Sequence, residues 1–180
     1  LDDGTVKCWG FDGYGQLGNG ASSSSEVTTP PSATVNLGQG RTALTITAGQ
    51  HHSCAILDDG SVKCWGSDWH GQLGDGGASH SMTTTTTAPS TTPVDLGSGR
   101  TAVAISAGGW HTCAILDDGS VKCWGLNNNG QLGLGSSIGT IEPTPPTTPI
   151  DLGSGRTAVA IATGEYFTCA TLDNGSLMCW

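Results

Sequence analysis

Apolar residues along this chain come in short runs broken by Gly, Asp-Gly or Pro, as in Thr101–Ala107 (TAVAISA) and Cys113–Leu116 (CAIL). No long segment spaces them at the ~3.6-residue period of an amphipathic helix, so the pattern predicts short strands and an all-β chain. Composition agrees: 29 glycines and 8 prolines among 180 residues would interrupt helices throughout.

The order of these runs repeats. Leu1, Leu57, Leu116 and Leu172 open LDDGTVKCWG, LDDGSVKCWG, LDDGSVKCWG and LDNGSLMCW, at steps of 56, 59 and 56 residues. One array over 1–180 is read as repeats at 1–56, 57–115 and 116–171, with the start of another at 172–180. Each period passes from a Cys-Trp-Gly strand through a variable tetrapeptide to Gly-Gln-Leu-Gly and a Ser/Thr/Pro-rich connection. A segment like Val-Asn-Leu-Gly, an apolar stretch and the strand entering the next cysteine follow. Up to four short strands per period predict a partial β-propeller of about three blades, each a four-stranded antiparallel sheet. The chain opens and closes inside copies of the motif, so it reads as a piece of a longer protein whose outer blades would leave apolar faces bare.

Two cysteines flank each Asp-Asp-Gly. If the flanking strands pair around a three-residue turn, Cys113 stands opposite Cys123, Cys54 opposite Cys64 and Cys169 opposite Cys179. Opposed Cα atoms lie about 4.5–5.5 Å apart, within reach of a disulfide. Cys8 is left over, its partner expected ten positions upstream. A metal site is the competing reading, since His52 and His111 each lie two residues before a cysteine. Phe167 in the third copy and the lack of Cys-x-x-Cys count against it. Disulfides imply an oxidising address, whether secreted, periplasmic or cell-surface.

AGQHHSCAILDDGSVKCWG (Ala48 to Gly66), AGGWHTCAILDDGSVKCWG (Ala107 to Gly125) and GQLG at Gly15, Gly71 and Gly130 resemble the regulator of chromosome condensation repeat family. The resemblance implies a β-propeller, commonly of seven blades. Nucleotide exchange on a small GTPase, known in the family, finds no matching loop residues here. The acidic, cysteine-bearing form is more similar to secreted bacterial members.

Net charge is −9, and all six basic residues sit at repeated positions: Lys7, Lys63 and Lys122 before a cysteine, Arg41, Arg100 and Arg156 in Gly-Arg-Thr-Ala. Without a free basic cluster the chain is a poor partner for nucleic acid, and no run approaches the ~20 apolar residues that cross a bilayer.

GYGQLG at Gly13–Gly18 fits a dinucleotide pattern but lacks the strand before and the helix after it. The Asp-Asp-Gly stretches lack the alternating ligands of a calcium loop and read as hairpin turns. No nucleophile, base and orienting acid assemble, so a non-enzyme without metal or cofactor is expected, with His52 and His111 as buried donors. Trp9, Trp65, Trp124 and Trp180 share one repeat position and are expected to pack between sheets. Asn174-Gly175-Ser176 is a glycosylation sequon on a turn. The connections at 19–34, 75–93 and 135–149, including Thr83–Thr87, read as solvated surface loops.

Functional residues are sought where the copies disagree, because the fold does not dictate those positions. Tyr14, Trp69, Trp110 and Tyr166 fall there and are the candidate contacts, each on its own loop, with gap-filling between loops as the plain alternative. The expected function is a non-catalytic scaffold binding a protein, or a glycan, through rim loops. Inhibition of a secreted enzyme is the alternative.

Overall fold

The computed structural model describes residues 1–77, 85–135 and 139–180. Within these, regular structure is strand, arranged in antiparallel sheets that follow one another along the chain. β1 (Gly10–Asp12) pairs with β2 (Ser23–Val27). β3 (Ala43–Ala48), β4 (His52–Leu57), β5 (Val62–Ser67) and β6 (Thr85–Thr86) form a four-stranded meander. β7 (Ala102–Ala107), β8 (His111–Leu116), β9 (Val121–Leu126) and β10 (Ile141–Glu142) repeat it, and β11 (Ala158–Thr163), β12 (Thr168–Leu172) and β13 (Leu177–Cys179) supply three strands of the next. The first strands β3, β7 and β11 lie beside one another, as they do when blades are set around an axis.

The cysteine hairpins form as the spacing predicts. Leu57 N donates to Ser61 O at 2.9 Å and Gly60, at φ 77°, takes the left-handed position that closes the turn. The Asp59 carboxylate accepts the amide and hydroxyl of Ser61, holding the loop as an Asx turn. Cys54, Cys113 and Cys169 stand opposite Cys64, Cys123 and Cys179, with sulfurs 2.06, 2.03 and 2.06 Å apart. Cys8 is free and partly buried, and burial with the nearby Asp12 charge pushes its thiol up to about 11.

The outermost strand departs from the sequence reading. It comes from the Ser/Thr/Pro-rich connection, which supplies β2, β6 and β10, whereas the Val-Asn-Leu-Gly segment is not a strand. That segment makes a single backbone bond to a strand, as Val94 N does to Val62 O at 2.9 Å, and buries Val94 and Leu96. Polar Thr and Ser suit an edge strand that faces water on one side. Of Thr83–Thr87, Thr85 and Thr86 form β6, while Thr83 and Thr84 lie outside the described residues.

The core lies between sheets. One face of β4 (Cys54, Ile56) packs with Val62 and Leu73 of its own unit and with Ala114, Leu116 and Trp124 of the following one, while its other face (Ala55, Leu57) packs with Val6, Leu37 and Trp65 toward the preceding one. Both faces are thus buried, which is why β4 and β8 read as continuous apolar runs rather than alternating ones. The first strands differ: a bulge in each, between Ala43 and Thr45, Ala102 and Ala104, and Ala158 and Ala160, leaves Leu44, Val103 and Val159 exposed at equivalent positions.

Candidate functional site

Consecutive sheets are tied by a polar relay at one end of the strands. In each Gly-Gln-Leu-Gly turn the glutamine side chain caps its own loop, as Gln72 Oε1 does by accepting His70 N, and the leucine is buried. The glutamine carbonyl instead serves the next sheet. Gln72 O accepts Trp124 Nε1 at 3.0 Å and Thr112 Oγ1 at 2.9 Å, and Gln131 O accepts Trp180 Nε1 and Thr168 Oγ1. His52 Nε2 lies 2.8 Å from Thr112 Oγ1, and His111 Nε2 lies 3.0 Å from Thr168 Oγ1. Because each threonine proton is committed to a glutamine carbonyl, the imidazole must donate from Nε2. Burial holds both rings neutral, with His52 pushed down to about 3 and His111 to about 4. These histidines are joints between sheets, as donors were expected to be. Sequence reasoning missed their acceptors, although a hydroxyl residue (Ser53, Thr112, Thr168) precedes each cysteine of the entering strands.

Basic residues gather at the opposite end. Arg41 pairs with Asp58 and Asp59 at 3.3 and 2.7 Å, Arg100 with Asp117 and Asp118 at 3.2 and 3.0 Å, and Arg156 with Asp173 at 3.4 Å. Lys63 and Lys122 are buried, each donating to a backbone carbonyl, Leu37 O and Leu96 O, at 3.0 Å. These cations hold turns together and offer little to a ligand.

The variable loops meet at the histidine end, because a first strand and a third strand of each sheet both finish there. Backbone bonds clamp the two loop sets: Ser67 N donates to His51 O at 2.8 Å and Leu126 N to Trp110 O at 2.9 Å. Three of the four candidate aromatics thereby enter one cluster. Tyr14 meets Trp69 edge-on at 5.0 Å between ring centroids, and Trp69 stacks on Trp110 at 5.3 Å with planes 16° apart. His51 lies against Tyr14 and Trp110, His70 lies edge-on to Trp110, and Phe11 extends the cluster past Tyr14. The fourth, Tyr166, is 42% exposed on the neighbouring loop, which Gly109 N joins to the Trp110 loop by donating to Glu165 O at 3.2 Å, and the Glu165 carboxylate raises its phenol. Burial lowers the His51 imidazole, so it is neutral near pH 7. The aromatic nitrogen Trp69 Nε1 is buried without an acceptor.

Acidic groups support this belt. Asp68, almost fully buried on the loop that carries Trp69, accepts Leu73 N at 3.0 Å. Desolvation outweighs the Leu73 amide and, with the nearby Asp75 carboxylate, pushes it up to about 7. In the first repeat, Asp12 meets Asn19 Nδ2 instead, at 3.0 Å. Beside the belt, a cleft of about 490 Å³ opens between the first two sheets, lined by Lys7, Trp9, Phe11 and Ile46 among others. Gly13–Gly18 forms the first Gly-Gln-Leu-Gly loop, with Gly18 against Trp65, and is no nucleotide cradle.

Repeated antiparallel sheets stapled and relayed in this way define a blade array of the β-propeller class. The Regulator of chromosome condensation (RCC1) repeat matches residues 3–56, 59–115 and 118–171, and the chain belongs to this family. It is 28% identical to the Ultraviolet-B receptor UVR8 of Arabidopsis thaliana over 172 residues, covering 96% of this chain and 36% of that protein. It is 32% identical to the human E3 ubiquitin-protein ligase HERC2 over 142 residues, covering 79% of this chain and 3% of that protein. Among solved structures, Prp20p from Saccharomyces cerevisiae superposes with a TM-score of 0.79 at 21% identity, over 94% of this chain and 40% of that one. Human WBSCR16 does so with 0.79 at 20%, over 100% and 44%. The likeness to these structures is one of fold, and the chain spans less than half the length of each of these chains.

Proposed function

We propose that this chain is a non-catalytic docking scaffold whose partner, a protein, seats on the aromatic end of the blades. The observation that carries this reading is the convergence of Tyr14, Trp69 and Trp110, with Tyr166 alongside, at positions where the repeats disagree. The polar side chains of the repeated motif are spent on joints between sheets, whereas the aromatic belt lies on loops that the framework does not specify. Aromatic residues of this kind supply large contact area at low entropic cost. Structural relatives fit a binding role: Prp20p is described by its binding to Gsp1p and histones, and yeast RCC1 (Prp20) was crystallised bound to Kap60.

The paired cysteines favour an oxidising compartment for this scaffold, and inhibition of a secreted enzyme would use the same surface. Affinity capture from the source material tests docking, with Trp69→Ala and Trp110→Ala beside the unaltered protein. Both variants should lose the captured protein while melting as the parent does. Equal capture by all three removes the site.

A further inference from the structure

The two ends of the blade array differ in charge as well as shape. Of the six basic residues, Lys63 and Lys122 reach Leu37 O and Leu96 O, and all three arginines are bound at the Asp-Asp-Gly or Asp-Asn-Gly turns. The loops at the aromatic end, 10–20, 48–51, 67–77, 107–110, 126–135 and 163–166, contain no Lys or Arg. They carry Asp12, Asp68, Asp75 and Glu165 instead, in a chain of net charge −9. Lys7 shares the cleft at the Phe11 edge of the belt, so the end without a cation is the one formed by Trp110, Tyr166 and Glu165.

Here the geometry suits a planar cation. Trp69 and Trp110 stack nearly parallel, Gly109 N donates to Glu165 O at 3.2 Å and so joins the Trp110 loop to the loop of Glu165 and Tyr166, and both of these side chains are exposed. A guanidinium laid on an aromatic face gains from the ring quadrupole, and its remaining donors match a carboxylate.

We propose that the Trp110–Tyr166–Glu165 edge of the aromatic belt recognises an arginine-bearing basic segment of the partner protein. This rests on the docking reading above and specifies the partner's chemistry. Arginine is favoured over lysine because the site offers flat faces and one carboxylate rather than a cage of charges.

The test uses the full chain and short synthetic peptides in a Gly-Ser background that carry arginine, lysine or glutamate at the same positions. Binding is read by tryptophan fluorescence and calorimetry. The arginine peptide should bind, the lysine peptide about tenfold more weakly, and the glutamate peptide not at all. Glu165→Gln, at an exposed residue, should weaken the arginine peptide about tenfold and flatten its salt dependence, and Trp110→Ala should weaken it at least as much. Asp95→Asn, an exposed acid toward the other end, should leave it unchanged. Equal loss in Asp95→Asn and Glu165→Gln would mean bulk attraction to an acidic chain and overturn the proposal, as would equal binding of arginine and glutamate peptides. A partner captured through Trp110 that the arginine peptide does not displace overturns it too, while leaving the docking reading in place.

Discussion

His52 Nε2 and Thr112 Oγ1 meet 2.8 Å apart across the boundary between two sheets, both fully buried. Together with the Thr112 bond to Gln72 O, this contact links the strand that enters one hairpin, the strand that enters the next, and the turn between them. Thr112→Val keeps the shape and removes the hydroxyl, leaving His52 Nε2 a buried donor with no acceptor. We expect a loss of about 1–3 kcal/mol, read from the urea midpoint, with the aromatic loops less protected in hydrogen exchange. A midpoint within error of the parent would show that the relay does not hold the sheets.

Much of this architecture was legible in the sequence. The Asp-Asp-Gly turn with cysteines ten apart fixes a hairpin register, because only one pairing satisfies both turn and staple, and the step from Leu57 to Leu116 gives the blade period. The fourth strand was not legible, since Thr85–Thr86 and Ile141–Glu142 carry no run of apolar residues and are strands only because a neighbour offers its edge. The candidate aromatics were found one by one as positions where repeats disagree. Their union depends on which ends of which strands face the same way, and no single repeat contains that fact. Asp68 and Asp75 lie seven residues apart on one loop, and their proximity follows from how tightly Gly-Gln-Leu-Gly turns.

The buried Asp68 carboxyl and the buried histidines give opposite pH responses. Asp68 holds a proton up to about 7, above its ordinary value of 3.8, so its contribution is fullest at low pH and is lost as pH rises toward 7. His52 and His111, lowered to about 3 and 4, contribute fully above about 6.5 and lose that contribution as pH falls toward their native values. Asp75→Asn recreates the Asp12–Asn19 arrangement of the first repeat. It should therefore raise thermal stability more at about pH 7.5 than at about pH 5, the difference being about 1 kcal/mol. The same gain at both values would contradict an influence of the Asp75 charge on Asp68.

Gly74 sits under the next tryptophan at φ 78°, and a Cβ there would lie 2.7 Å from Trp124 Nε1. Gly74→Ala meets both a disfavoured backbone region and a collision with the ring that bonds Gln72 O. A loss of about 1–3 kcal/mol from the backbone alone is expected, with the Trp124 clash adding to it, measured by chemical unfolding. Gly76→Ala, with φ 84° and nearest neighbour Thr144 Cγ2 at 3.5 Å, should show the backbone cost alone. Equal losses at the two glycines would mean that the tryptophan contact is not tight.

Hydrogen–deuterium exchange of the chain with and without its captured partner reads the docking surface directly. Slowed exchange at 67–72, 108–111 and 163–167, with 38–42 and 57–61 unchanged, is the expected footprint. Protection confined to the Asp-Asp-Gly end, with the Trp69 and Trp110 loops exchanging as in the free protein, would contradict the account.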